Sequence, residues 1–418
     1  MKRTTLTTSV AISALLVSLS GSAFAQNAPD VLNSQIQLGD AFSNMNVVVE
    51  GDHSGDVSSI ALSTGNAASG FGSNDAVRHV ESNQTMSGNS TANATLEGDR
   101  VFGTASADAT AYGNSTTGSQ FQADSMNQTV GTNRISSTAT VNHISATTLN
   151  ASATSAANIQ DMTYDGRLVP DGESPTLRAN ANQTSQADVD ANIDATVCCS
   201  VDDTNANTLA VGNSFQSSSE YSNAYANVQQ TSYGNAITAN TRLTQPEGNN
   251  ISANSQAMGN NIVMDNSWGY SQLDGSQTNT SAINATTEIV LNDWDGDASI
   301  SAYGVGNSAM QTNIGSDQNA YYAQNNSGEV VSLTDFEGGN GGAGNLSTSS
   351  TAIGNTYTGY VCATCQSAVP GGALTQTNSG NVTSTGQAWA RGGGNVYGSA
   401  AAIGNSANYS TNNAGGHD

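Results

Sequence analysis

Two interleaved marker series recur along this chain at a fixed spacing, and a period of tens of residues constrains the fold more than any local propensity. A Gly-Asn or similar step closes an Ala/Ser/Thr-rich run, with its Asn at 66, 114, 158, 213, 260, 307, 355 and 405. A Gln, often within Asn-Gln-Thr, stands at 37, 84, 128, 183, 230, 277, 324 and 376. Both series advance by about 47 residues and both lengthen at the same two places. The chain therefore reads as eight tandem units with loop insertions near 159–178 and 362–372, stretches that hold three of the five prolines.

Within a unit the two markers lie about 29 residues apart, which splits it into two arms, each near the length of one β-solenoid coil. This predicts about two coils per unit, sixteen in all, and a rod on the order of 75 Å at roughly 4.8 Å per coil. Short runs such as Asn46–Val49 and Thr287–Leu291 alternate and end in turns, while no 3.6-residue apolar stripe persists. The fold class is all-β, a β-solenoid. With 6% aromatic residues a thick core is hard to fill, so narrow coils with stacked Ala, Val, Ile, Ser and Thr suit the composition. Asn and Gln recurring at one register can form amide ladders between coils. A turn Asn with positive φ explains Gly-Asn equally well.

The first 25 residues have the form of a Sec signal peptide: Lys2 and Arg3, an apolar stretch from Val10 to Leu19, and Ala23-Phe24-Ala25 for cleavage. Residues 26–418 are then a single exported solenoid domain, and no segment is apolar enough for a transmembrane span. That mature chain has no lysine and seven arginines against 33 acidic residues, a net charge of −26. Such a charge disfavours nucleic acid and anionic membranes as direct partners, because there is no basic surface to neutralise phosphates. Neutral glycans and cations fit better.

Candidate chemistry is sparse. His53, His79, His143 and His417 are scattered, without metal-ligand spacing. Carboxylates recur in turns, at Glu50-Gly51-Asp52, Glu97-Gly98-Asp99, Glu247-Gly248, Asp293 to Asp297 and Glu337-Gly338, which should line one edge of the rod. Among them Asp293, Asp295 and Asp297 are the densest group and the candidate Ca²⁺ ligands, although their order is not that of an EF-hand loop. No other cofactor is expected. In a chain that leaves the reducing cytosol Cys198, Cys199, Cys362 and Cys365 are disulfide candidates, as two local pairs. Tyr321, Tyr322, Trp268, Trp294 and Trp389 are candidate contacts for glycan or protein. A polysaccharide-active enzyme on a β-helix needs Arg, Lys or paired carboxylates on neighbouring coils, and no such grouping is evident. The reading is non-enzymatic.

The repeat style is similar to that of curlin-type fibre subunits, without their regular Ser…Gln…Asn…Gln spacing, so a self-assembling curli-like subunit is one alternative. Over the whole mature length the repeats with Ile353-Gly354-Asn355 and Ile403-Gly404-Asn405 endings more closely resemble the holdfast attachment family HfaD of stalked alphaproteobacteria. That resemblance implies a surface protein, associated with the outer membrane, that helps anchor adhesive polysaccharide to the envelope. It further implies other outer-membrane attachment proteins and a curli-like secretion lipoprotein as partners. It carries over no site residues.

Overall fold

The computed structural model of the protein describes residues 31–71, 78–168, 175–342, 344–363 and 369–413. They form one parallel β-solenoid. Each coil has three faces, and the sixth shows the plan: Ser271–Asn279, then Ala282–Trp294, then Ala298–Ile314. The first faces, from Val31–Gln37 to Pro370–Asn378, stack into an eight-stranded parallel sheet. In coils two to five the second and third faces run on as single long strands, such as Arg134–Asp165 and Ala236–Ser267.

Register settles the coil count. Gln230 pairs with Gln183 and Gln277, and Asn260 with Asn213 and Asn307, so each strand neighbours its equivalent one whole repeat away. The expectation of two coils per repeat is therefore corrected to one coil per repeat and eight coils. The marker pair that suggested two arms faces itself across one coil. Seven steps of about 4.8 Å make a rod of roughly 34 Å, half the length anticipated. The insertions are also narrower than anticipated. Ile159–Asp165 continues the third face and the first face resumes at Thr176, so the extra residues lie at one corner. The second extension occupies the same corner, between Ala363 and Pro370.

Inside, two apolar cores run the length of the rod. One joins the second face to the start of the third, with columns of small residues such as Ala107, Ala151, Ala206 and Ala253. The other joins the first face to the end of the third, around Met126, Phe215, Met264 and Tyr357. Two amide ladders separate them. From Asn66 to Asn405 each Asn Nδ2 donates to the Oδ1 of the next coil's Asn at 2.7–2.9 Å. From Gln84 to Gln376 each Gln Nε2 donates back to the preceding coil's Gln at 2.8–2.9 Å.

The second hydrogen of each amide ties the faces together. Asn260 donates to the carbonyl of Thr278, beside Gln277, and Gln277 donates to the carbonyl of Ser308, beside Asn307. Buried amides are kept only where their hydrogen bonds are made, and here the seam makes them in every coil before the last. None of these Asn residues has positive φ, so the Gly-Asn marker is a ladder and not a left-handed turn. Its glycine serves close approach: a Cβ at Gly259 would lie 2.4 Å from the carbonyl oxygen of Gly306. In the first coil the ladder residue is Gln35, two positions before the expected Gln37.

Candidate functional site: an aromatic and amide face

Outward residues of the first sheet form straight columns, because parallel in-register stacking repeats each position at the strand spacing. Thr85, Thr129, Thr184, Thr231 and Thr278 make a hydroxyl column. Asn83, Asn127, Asn182 and Gln229 make an amide column beside it. A shallow cleft of about 180 Å³ opens between this column and the neighbouring Asn180 and Asn227.

Toward the later coils the columns turn aromatic. Arg178, Tyr225, Gln272 and Asn319 share one register, and Asn227, Asp274 and Tyr321 the next but one. The Tyr225 and Tyr270 rings lie 5.7 Å apart, and the Arg178 guanidinium stands 6.0 Å from the Tyr225 ring. A relay of polar groups crosses the face: Asn319 Nδ2 donates to Tyr270 Oη at 2.6 Å, Tyr270 to Gln272 at 3.0 Å, and Gln272 to Asp274 at 2.7 Å. Partial burial pushes the Tyr270 phenol above its ordinary range.

The adjoining corner adds a second aromatic group. Tyr221 and Trp268 stack at 6.3 Å with 19° between planes, and Arg167 lies 4.7 Å over Tyr221. Both aromatic residues have left-handed backbones, φ 52° and 62°, at a corner where the next coil uses Gly315. Glycine is the unstrained choice there, and a bulky side chain costs on the order of 1–3 kcal/mol. Gln120, at the same corner of the second coil, also has a left-handed backbone, φ 59°, with its side chain buried. Below the stack a cleft of about 380 Å³ is lined by Gln120, Asp165 and Glu220.

Of the five aromatic candidates, Trp268 and Tyr321 belong to this face. Trp389 is exposed on the last coil's second face, away from the others. Tyr322 and Trp294 point inward; Trp294 packs edge-on against Phe336 at 6.0 Å. Tyr221, Tyr225, Tyr270 and Arg178 were not singled out from sequence, although Tyr221 and Trp268 stand one period apart.

The turn carboxylates do line one edge, at the end of the second face and the corner after it. Asp293, Asp295 and Asp297 are exposed there. Asp297 Oδ1 accepts from the Asn345 backbone N–H at 2.9 Å and from its side chain at 3.0 Å, which holds the carboxyl below its usual range. Among the described residues no three His, Cys, Asp or Glu side chains are grouped as a metal ion requires. Cys198 and Cys199 are adjacent, exposed and free, with partial burial and the neighbouring thiol pushing Cys198 up to about 11. Cys362 is the penultimate residue of the third face of the seventh coil, and Cys365 and His417 lie outside the described residues.

The family model of HfaD, holdfast attachment protein D, matches residues 51–329. The chain belongs to the HfaD family. The match takes in coils two to six, the aromatic corner and most of the first sheet's outer face. No curated protein and no solved structure gives a significant match. Membership places an HfaD chain in holdfast attachment at the cell surface. Among the described residues no helix is long and apolar enough to cross a membrane.

Proposed function

We propose that this HfaD protein is a non-enzymatic anchor, exported by way of residues 1–25, that holds adhesive polysaccharide against the envelope through the outer face of its first sheet. The observation that carries this reading is the exposed set Tyr221, Tyr225, Trp268 and Tyr321, with half-buried Tyr270 among them, beside columns of amides and hydroxyls. Aromatic rings offer flat apolar faces to the C–H faces of sugar rings, and amides pair with hydroxyls without requiring charge. The strongly acidic, lysine-free surface suits a neutral glycan. Other outer-membrane attachment proteins and a curli-like secretion lipoprotein complete the assembly in this reading.

The paired-carboxylate alternative is disfavoured at Asp165 and Glu220, which stand at one register on neighbouring coils. Arg167 bridges the two, at 2.8 Å and 3.4 Å, and its hydrogen bond lowers the Asp165 pKa. A glycosidase general acid needs the opposite shift. The test is binding of purified protein to the isolated adhesive polysaccharide, with depolymerisation followed in the same sample. Saturable binding without chain shortening is expected. Absence of binding, or release of oligosaccharides, would overturn the proposal.

A further inference from the structure

The two ends of the rod are different surfaces, and the ladders show how they differ. The Gln ladder donates toward the N-terminal coil, while the Asn ladder donates toward the C-terminal coil. Each ladder therefore ends with an unused group of opposite kind at the two ends. At the first coil Gln35 Nε2 donates to the Ala67 carbonyl and keeps its second hydrogen, and Asn66 Oδ1 accepts from no described side chain. At the last coil Gln376 Oε1 accepts from no described side chain and Asn405 Nδ2 donates to no described group.

We infer that copies of this chain stack head to tail, the last coil of one copy seating on the first coil of the next so that both amide ladders run through the junction. Gln35 then donates to Gln376, and Asn405 to Asn66. Among the described residues the end strands pair on one side only, and parallel edges accept a further parallel strand in register.

Three further positions match at the same register. Gln37 occupies the inward column that holds Met86 and Val130 in the next two coils, its Nε2 donating to the Gly39 carbonyl as Asn378 Nδ2 donates to that of Gly380, and Asn378 ends that column at the other end. Stacking sets Gln37 against Asn378, extending the Asn279–Asn326–Asn378 ladder. Tyr409 packs on Tyr357 by one face and leaves the other open. Its column begins at Gly70, where a side chain would meet nothing within 4 Å. On the outer surface Val48 and Trp389, both exposed, begin and end one column whose second member is Glu97. A junction brings these two apolar side chains together.

The surface is distinct from the aromatic face, so the inference stands apart from polysaccharide binding and is tested without any glycan. Sedimentation velocity and negative-stain microscopy of the purified mature chain are expected to show species that grow with concentration, as rods lengthening by about 38 Å per copy. Asn405→Asp keeps the acceptor used by Asn355 but turns the outward donor into a charged acceptor facing Asn66. Trp389→Glu places a charge at the junction from the outside. Both variants are expected to keep the wild-type melting temperature and circular dichroism, and to raise the concentration needed for assembly at least tenfold. A wild-type chain that stays monomeric over the accessible concentration range would overturn the inference. So would assembly unchanged in both variants.

Discussion

The fifth coil and the eighth share the same three faces and the same amide pair, yet no described residue of the eighth is buried, while the fifth alternates buried and exposed along every strand. The difference lies in neighbours. A coil of small residues cannot bury its own interior, and only a coil on each side excludes water from it. Stability in this fold therefore belongs to interfaces between coils, and one residue type should carry very different weight in the middle and at an end.

Tryptophan gives the largest expected contrast. Trp294→Ala empties a fully buried site against Phe336 and should cost about 3–5 kcal/mol, whereas outward Trp389→Ala should fall within about 0.5 kcal/mol of wild type. Urea denaturation of both checks it. The ladder gives the next. Asn260→Ala removes its bonds to Asn213, Asn307 and the Thr278 carbonyl together and should cost roughly 2–4 kcal/mol, against less than about 1 for Asn405→Ala.

At the aromatic corner the sign reverses. Trp268→Gly relieves a left-handed backbone and should leave the melting point unchanged or slightly raised, while polysaccharide affinity falls about tenfold or more, read by isothermal titration. The smallest effect concerns the acidic edge. Asp297 has a folded pKa below its unfolded value, so its contribution is present at neutral pH and is lost as pH falls through the folded value. Asp297→Asn retains an acceptor for Asn345 without titrating, and should flatten the acid limb of the melting curve below about pH 4. Because Asp297 is engaged by Asn345 and not grouped with Asp293 and Asp295, a chelator should leave the melting temperature unchanged at pH 7.

The period and the strand content were legible in the sequence, because in-register stacking demands the same residue at the same phase in every coil; the amide ladders were one of two readings of Gly-Asn, and the backbone angles and Asn–Asn hydrogen bonds decide for them. The coil count was not. Gln277 and Asn307 recur with equal regularity, and regularity does not tell whether two markers stack or face each other across one coil. Gln37 entered the series for a related reason: it shares the inward phase of Gln35, and only the Gln84 hydrogen bond distinguishes them. The candidate face was half legible. Tyr321 and Tyr322 are adjacent and point in opposite directions, and inward or outward phase is reset at each corner by a backbone turn that the sequence does not announce.

The most direct test of the anchor itself is made on cells. The chromosomal copy is replaced by Tyr225→Ala/Trp268→Gly/Tyr321→Ala, and surface display and retained adhesive polysaccharide are measured under shear. The account predicts display at the wild-type level with adhesive shed as completely as from a deletion strain. Adhesive retained at the wild-type level by cells displaying the variant would contradict it.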